Sequence, residues 1–274
     1  MRIGIHLPQY REPVDGAFVA DAARAAEAAG ADDVWVSDHV ILPPKSIRPP
    51  AAFHDPLTVL TWAAAVTGRV GLGTSVLVAP YRHPVALAKS LATLDTLSGG
   101  RVIAGVASGW MEHEFRALGV PFAERGSRTD ECIEVCRRLW AGDTGVVTAR
   151  VDARGLAIAP LPARPGGPPV WVGGNSPAGV RRAARRGDAW HTTWSDPDRL
   201  AAPIAALRAG EVAAGRPPGS VAVSVRVRAT PSEVADLVPR LAAVGVEHLL
   251  VDLPRVDPAT FADEVRAVRA AATL

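Results

Sequence analysis

The stretch from Val70 to Trp110 constrains the fold more than any other part of the chain. It begins with an apolar run of strand character, Val70–Ala79, and continues with apolar residues at helical spacing. A second apolar run, Arg101–Ala107, follows a Ser-Gly-Gly stop. Because neither run alternates between apolar and polar residues, both strands are expected in a parallel sheet that is covered by helices. Chemistry in such sheets gathers where strands end, here around residues 75–81 and 107–110.

Eight strands of this kind alternate with helices along the chain. The predicted strands are Ile3–Leu7, Asp33–Val36, Val70–Ala79, Arg101–Ala107, Pro169–Val172, Asp188–His191, Val221–Arg228 and His248–Val251. Right-handed crossovers close such a series most simply into an α/β protein of the (β/α)₈ TIM-barrel type. The competing open, doubly wound sheet lacks its G-x-G-x-x-G fingerprint, because Gly71-Leu72-Gly73 is not followed by glycine at Val76. We expect one domain, residues 1–274, with a short β-hairpin excursion at Gly145–Pro160 before strand 5.

The charge pattern disfavours a nucleic-acid-binding protein. The 30 cationic and 28 acidic residues leave a formal charge of +2 and are interspersed, without a basic stripe. No apolar run approaches the length of a membrane span, and the N-terminal residues lack the apolar core of a signal peptide. Cys132 and Cys136 are the only cysteines; their spacing suits half a metal site, but no second pair completes it. A cytoplasmic protein with small packing cysteines is therefore predicted.

One turn has a clear physical meaning as an anion site. In Gly173-Gly174-Asn175-Ser176-Pro177 the glycines allow close approach of the backbone to a ligand, and Ser176 and Pro177 suit the cap and first position of a helix. Free N–H groups there would face an anion. The residues alone leave open whether this turn binds phosphate or is an ordinary capped helix start.

Asp38 and His39 form the best acid–base pair, at the end of the second predicted strand. Imidazole exchanges protons near neutral pH, and a neighbouring carboxylate adjusts its proton affinity. A structural histidine that closes the barrel is the alternative, which the sequence leaves open. Glu112-His113-Glu114 is interpreted instead as a solvated patch on a helix.

Other barrel chemistries find less support. A Schiff-base aldolase needs a lysine at a strand end, whereas Lys45 lies in the proline-rich segment Ile41–Phe53 and Lys89 on a helix. A metal-dependent hydrolase needs converging ligands. His6, His39 and His191 are the candidates, but no paired-ligand motif accompanies them.

Four segments, in order, resemble the bacterial luciferase-like family of flavin and deazaflavin barrels, and more narrowly its branch of probable coenzyme F420-dependent oxidoreductases. They are Val34–Val40, Asp55–Arg101, Gly109–Glu131 and Pro169–His191. The resemblance spans most of the chain up to about residue 195. It finds no matching motif in strands seven and eight, whose loops usually shape the substrate pocket.

The resemblance implies an eight-stranded barrel whose mouth holds an isoalloxazine-type ring. It implies a non-prolyl cis peptide behind the ring at Ser75–Val76, and Asp38 and His39 as the catalytic pair. Cofactor contacts are implied at two further turns: the phosphate at Gly173, Gly174, Asn175 and Ser176, and the ring or tail at Ala107, Ser108 and Gly109. Arg125, Arg128, Arg181 and Arg182 are candidates to bind an anionic tail.

The leading hypothesis is hydride transfer between coenzyme F420 and a small organic substrate, with the protein orienting the ring, excluding water and managing one proton. The alternative is a monooxygenase that uses reduced flavin mononucleotide (FMN). A third is a non-redox barrel, either a metal-dependent hydrolase or a flavin-binding protein. By analogy with relatives we expect a homodimer, with the apolar Val85–Leu97 helix as a contributor.

Overall fold

The computed structural model describes residues 1–10, 15–44 and 53–272. Its strands are β1 (Arg2–His6), β2 (Asp33–Val36), β3 (Gly71–Thr74), β4 (Leu77–Val78), β5 (Val102–Ala107), β6 (Val170–Gly173), β7 (Ala189–Thr192), β8 (Ala222–Arg228) and β9 (His248–Asp252). Residues 45–52 of the predicted proline-rich segment, including Lys45, lie outside the described residues.

Helices follow or separate these strands. They are α1 (Gly16–Ala28), α2 (Pro56–Val66), α3 (Pro84–Ser98), α4 (Glu112–Ala117), α5 (Arg125–Trp140), α6 (Pro177–Arg186), α7 (Pro197–Ala213), α8 (Pro231–Ala243) and α9 (Phe261–Ala271). Single 3₁₀ turns lie at Ala79–Tyr81 and Phe122–Glu124. None of the helices in the described part of the chain combines the length and apolar character that a membrane crossing needs.

The strands form a closed parallel barrel. Their order around it is β3-β2-β1-β9-β8-β7-β6-β5, and β3 pairs with β5 through Leu72↔Val102 and Gly73↔Ile103 to close the ring. β3 and β4 are two halves of the third barrel strand. The predicted eight-stranded TIM barrel is confirmed. The excursion before β6 is a turn closed by a single antiparallel bridge between Val147 and Asp152, whereas the single-domain assignment stays a prediction.

Four of the helices begin with the same local device, a capping side chain followed by proline. Asp, Ser or Thr accepts a backbone N–H from the first turn, and proline occupies the position where a free N–H has no partner in the helix. The pairs are Asp55-Pro56, Ser176-Pro177, Asp196-Pro197 and Thr230-Pro231. The sequence predicted the caps Asp55-Pro56 and Ser176-Pro177, because each capping side chain acts on its own neighbours.

The side chain of Trp35 fills a large part of the barrel interior. It is fully buried and packs among Ile103, Trp171 and Leu250. Gly4 and Gly73 lie on the strands on either side of β2, and a Cβ atom on either would overlap the indole ring. Glycine at these two positions therefore makes room for the indole inside the ring of strands.

The third barrel strand contains an extra residue in its middle. β3 pairs with β5 at Gly73↔Ile103 and β4 pairs with it at Leu77↔Val106, so four residue steps on one strand lie against three on the other. Such a bulge re-aims the side chains that it releases from the ladder. The bulged backbone lies directly against β5, because a Cβ atom on Gly105 would overlap the carbonyl oxygen of Thr74.

We expect Gly105→Ala to lower the free energy of unfolding by about 2 kcal/mol or more, because the added methyl group meets a backbone carbonyl. Gly68→Ala is the matched control, since a Cβ atom there meets nothing within 4 Å. That control should stay within about 0.5 kcal/mol of the parent or gain slightly. Urea unfolding of the three proteins measures both effects, and equal stabilities for the two variants would contradict the close contact.

Candidate active site

A cavity of about 900 Å³ opens at the end of the barrel where the strands terminate. All eleven residues that the sequence predicted for the site line it: Asp38, His39, Ser75, Val76, Ala107, Ser108, Gly109, Gly173, Gly174, Asn175 and Ser176. These residues come from the ends of β2, β3, β5 and β6, as expected when parallel strands end at a common face. Their roles in binding or catalysis stay predictions.

The bulge supplies one wall of the cavity. The peptide bond between Ser75 and Val76 is cis, as the family resemblance implied. The Ser75 N–H donates to the carbonyl of Val36 at 2.7 Å. The Val76 side chain lies close to Gly173, where an added Cβ would stand 2.8 Å from Val76 Cγ1. A larger residue at 173 would therefore displace the bulge.

His39 is held by a carboxylate, but not by the one predicted. Its Nδ1 lies 2.8 Å from Glu114 Oε2, so the Nδ1–H donates to an acceptor that is fully buried. The imidazole is about one-fifth exposed and faces the cavity. Its Nε2 has no hydrogen-bond partner among the described residues. The interpretation of Asp38 as the carboxylate that adjusts His39 is therefore corrected: Glu114 has that position.

Glu114 is fixed by four donors and is not a solvated residue, contrary to the prediction. It accepts from the backbone N–H groups of Val40 at 2.7 Å and Ile41 at 3.2 Å, and from the Tyr81 hydroxyl at 3.0 Å, besides His39. Burial and the negative charge of Glu114 raise the pKa of Tyr81, so the phenol stays protonated as a donor. Sequence spacing could not reveal this carboxylate, because all its partners are distant in the chain.

Asp38 is a structural anchor of the cavity wall. Its carboxylate accepts from Arg82 Nη1 at 2.5 Å and Nη2 at 3.0 Å, and also from the Val78 N–H at 2.9 Å. This bidentate pair ties the end of β2 to the turn after β4. Both carboxylate oxygens of Asp38 thus accept hydrogen bonds from groups other than His39.

The turn after β6 has the geometry expected of an anion site. Ser176 caps α6 by accepting the Gly179 N–H at 3.2 Å, and Pro177 follows it. Asn175 is tied to the end of β7: its Oδ1 accepts the Thr192 hydroxyl at 2.7 Å and its Nδ2 donates to the Thr193 hydroxyl at 2.7 Å. The N-terminus of α6 thus faces the cavity and favours negative charge.

Two of the four candidate arginines line the cavity beside this turn. Arg182 donates to Asp130 at 2.8 Å and is mostly buried. Arg125 donates to a backbone carbonyl and lies over the ring of Phe122, with no carboxylate partner among the described residues. The other two candidates, Arg128 and Arg181, do not line the cavity, and Arg128 pairs with Glu124.

A further cationic residue, which the sequence did not single out, lines the cavity next to the bulge. Arg226, at the end of β8, donates to Asp252 at 2.9 Å, to the Tyr10 hydroxyl at 2.9 Å, and to the Ser37 hydroxyl and the Ser75 carbonyl at 2.8 Å each. Arg226 lies within the predicted strand Val221–Arg228, and Asp252 directly follows the predicted strand His248–Val251. No motif identified their pairing.

The candidate metal ligands do not converge. The ring nitrogens of His6 contact the Leu7 carbonyl and the Ser37 hydroxyl, whereas those of His191 contact the hydroxyls of Ser75 and Ser224. His39 binds Glu114 on the other side of the cavity mouth. Within the described residues no group of three or more His, Cys, Asp or Glu residues is placed to hold a metal ion.

Sequence comparison identifies the family of this chain. The family model described as luciferase-like monooxygenase matches residues 1–272. An uncharacterised protein of Mycobacterium tuberculosis is 36% identical over 195 residues, which cover 70% of this chain and 66% of that protein. An F420-dependent glucose-6-phosphate dehydrogenase of Kineococcus radiotolerans is 34% identical over 179 residues, 63% of this chain and 52% of that enzyme. The matches thus span two thirds or less of these curated relatives.

Solved structures share the fold. A monooxygenase from Streptomyces bottropensis superposes with a TM-score of 0.83 at 21% identity, over 98% of both chains. An F420-dependent secondary alcohol dehydrogenase superposes with a TM-score of 0.80 at 22% identity, over 99% of this chain and 98% of that one. At such identities the likeness concerns the barrel architecture alone.

Proposed function

Since the chain belongs to the luciferase-like monooxygenase family, we propose that it is an oxidoreductase that transfers hydride between coenzyme F420 and a small organic substrate. The relatives named as F420-dependent dehydrogenases support this choice of cofactor. The observation that carries the proposal is the cavity itself, which combines a positioned proton acceptor, a helix N-terminus and a guanidinium that has no carboxylate partner among the described residues.

The cavity suits a flat ring with an anionic tail. Its volume of about 900 Å³ lies in the range of ligand pockets. One wall is the bulge with Val76, packed on Gly173. Gly109, which also lines the cavity, leaves no room for a side chain, because a Cβ atom there would stand 2.6 Å from Val78 Cγ1. The ring would lie between these small residues and the polar groups that line the rest of the cavity.

The tail would bind at the start of α6. Ser176 and the first N–H groups of the helix present donors, and Arg125 and Arg182 add positive charge on the same side. A phosphate placed there gains from the helix dipole and from charge-assisted hydrogen bonds. Arg125 contributes most to this attraction, because an acidic partner already balances Arg182.

The chemistry divides between cofactor and protein. When bound, the deazaflavin supplies two-electron hydride chemistry with little reactivity toward oxygen. His39 then handles one proton at Nε2, while its Nδ1–H remains bonded to Glu114. The buried carboxylate stabilises the imidazolium that forms when Nε2 takes a proton from a substrate hydroxyl. Asp38 keeps the backbone of His39 in place through Arg82 and Val78.

The second candidate function is a monooxygenase that uses reduced FMN, which the description of the matching family favours. The same ring site and phosphate turn would serve FMN. The third hypothesis, a metal-dependent hydrolase, loses support because its predicted ligands His6, His39 and His191 face different partners. We propose the deazaflavin enzyme over both.

Titration of the purified protein with F420 and with FMN tests the cofactor assignment. We expect F420 to bind more tightly, and Arg125→Gln to weaken its binding about tenfold because a charge-assisted contact to the tail is lost. Arg128→Gln, which lies outside the cavity, is the matched control and should bind as the parent does. Tighter binding of FMN, with oxygen consumption in its reduced form, would establish the monooxygenase instead.

Glu114→Gln should lower the rate of F420 reduction by about a hundredfold or more, because the amide cannot stabilise an imidazolium at His39. Cofactor affinity should hardly change, since Glu114 acts through His39. The assay uses secondary alcohols and sugar phosphates, the substrate classes named for relatives. Glu112→Gln on the exposed face of α4 is the control and should retain full activity. Unchanged turnover in His39→Asn would remove the imidazole from the mechanism.

We also propose that the chain forms a homodimer through α2 and α3. Trp62 and Leu97 are 54% and 73% exposed and line an apolar groove of about 560 Å³ between these helices. Exposed apolar surface of this kind marks interaction sites. Leu97 belongs to the helix for which the sequence predicted a contribution to the dimer.

Leu97→Glu is expected to shift the protein toward the monomer, because the carboxylate would be buried unpaired in the interface. Light scattering after size-exclusion chromatography measures the mass. Val212→Glu, at a residue that is 60% exposed on α7, is the control and should leave the mass unchanged. A parent protein that is already monomeric would overturn the proposal.

A further inference from the structure

Five polar residues form an unbroken hydrogen-bonded chain through the interior of the barrel, which we call the interior chain. Ser75 Oγ lies 2.8 Å from His191 Nε2, and His191 Nδ1 lies 2.8 Å from Ser224 Oγ. Ser224 Oγ lies 2.7 Å from His248 Nδ1, and His248 Nε2 lies 2.8 Å from Asp33 Oδ1. All five residues are at least nine-tenths buried, and only the Ser75 and His191 end borders the cavity.

The far end of the interior chain has a fixed polarity. Asp33 also accepts from Trp35 Nε1, and from Arg2 Nη2 at 2.7 Å. Indole and guanidinium groups only donate hydrogen bonds. Although burial by itself would raise it, these donors and His248 lower the pKa of Asp33, so the residue is an ionised, acceptor-only end.

His191, in the middle of the interior chain, is neutral, because burial lowers its pKa to about 3. A neutral imidazole has one donor and one acceptor nitrogen. When His248 is neutral as well, the direction of every bond in the interior chain follows from Asp33. His248 donates from Nε2 to Asp33, and its Nδ1 accepts from the Ser224 hydroxyl. Ser224 in turn accepts from the Nδ1–H of His191, whose Nε2 accepts from the Ser75 hydroxyl. The proton of Ser75 therefore points into the barrel, away from the cavity.

We propose that His248 is neutral and that the interior chain thereby fixes Ser75 Oγ as a hydrogen-bond acceptor toward the cavity, which selects a ligand that presents an N–H or O–H group at this position. Arg226 Nη1, at 3.3 Å, already uses one side of the Ser75 oxygen, so a single acceptor direction is left for the ligand. His191, Ser224 and His248 are positioning residues in this scheme. It concerns the protein alone and holds whichever ring compound occupies the cavity.

Histidine tautomers in the ligand-free protein test the proposal directly. Two-bond ¹H–¹⁵N correlation spectra at mildly alkaline pH distinguish the Nδ1–H from the Nε2–H form, and single His→Asn variants assign the seven histidines. We expect His191 as the Nδ1–H tautomer and His248 as the Nε2–H tautomer. The Nε2–H form of His191 would overturn the proposal, because Ser75 would then donate toward the cavity.

Ser224→Ala interrupts the interior chain at a residue that does not line the cavity. We expect His191 to lose its single tautomer in this variant. The affinity for whichever of F420 and FMN the parent binds should fall by about twofold to fivefold. Ser98→Ala, at another buried serine with a hydrogen-bonded hydroxyl, is the control and should change neither. An unaltered His191 tautomer in Ser224→Ala would show that the interior chain does not set it. Failure of both cofactors to bind would count against the proposed function only.

Discussion

The extra residue between β3 and β4 is the constraint on which the rest of the site depends. If the third strand continued in register, residues 75 and 76 would be paired with β5 like their neighbours. The bulge releases them, and three separate contacts then form. The Ser75 hydroxyl reaches His191, the Ser75 carbonyl accepts from Arg226, and Val76 packs on Gly173. One local change in register thus connects the interior of the barrel, Arg226 and the turn after β6.

The barrel could be predicted because its signals are local or periodic. Apolar runs of strand length alternated with helical spacing, and pairs such as Asp55-Pro56 and Ser176-Pro177 marked helix starts that the structure confirms. The bulge could not be derived in this way. A register shift depends on which strand lies alongside, and only the family resemblance pointed to Ser75 and Val76.

The site was predicted in its location but not in its internal connections. Asp38 and His39 are adjacent in the chain, and adjacency suggested an acid–base pair. In the structure Asp38 pairs with Arg82, and the carboxylate that contacts His39 is that of Glu114, which follows the third and fourth barrel strands in the chain. Charge alone suggested a solvated Glu114. Glu114 is buried because four donors surround it, and these donors come together only where the loop after β2 packs against α4.

Two groups at the cavity, His39 and Ser75, differ in what they can do with a proton, and the difference follows from their surroundings. His39 is partly exposed, with one nitrogen fixed by Glu114 and the other without a partner among the described residues, and the proposed function has it take up and return a proton there. Ser75 faces the same space, but the interior chain behind it is buried and begins at an ionised carboxylate. The hydroxyl proton of Ser75 therefore points into the barrel and not toward the cavity. The proposed hydride-transfer function needs both properties, since a proton must leave the substrate while the bound ring keeps a single orientation. In that proposal the cavity positions the ring through groups of fixed polarity and exchanges the substrate proton through a separate group.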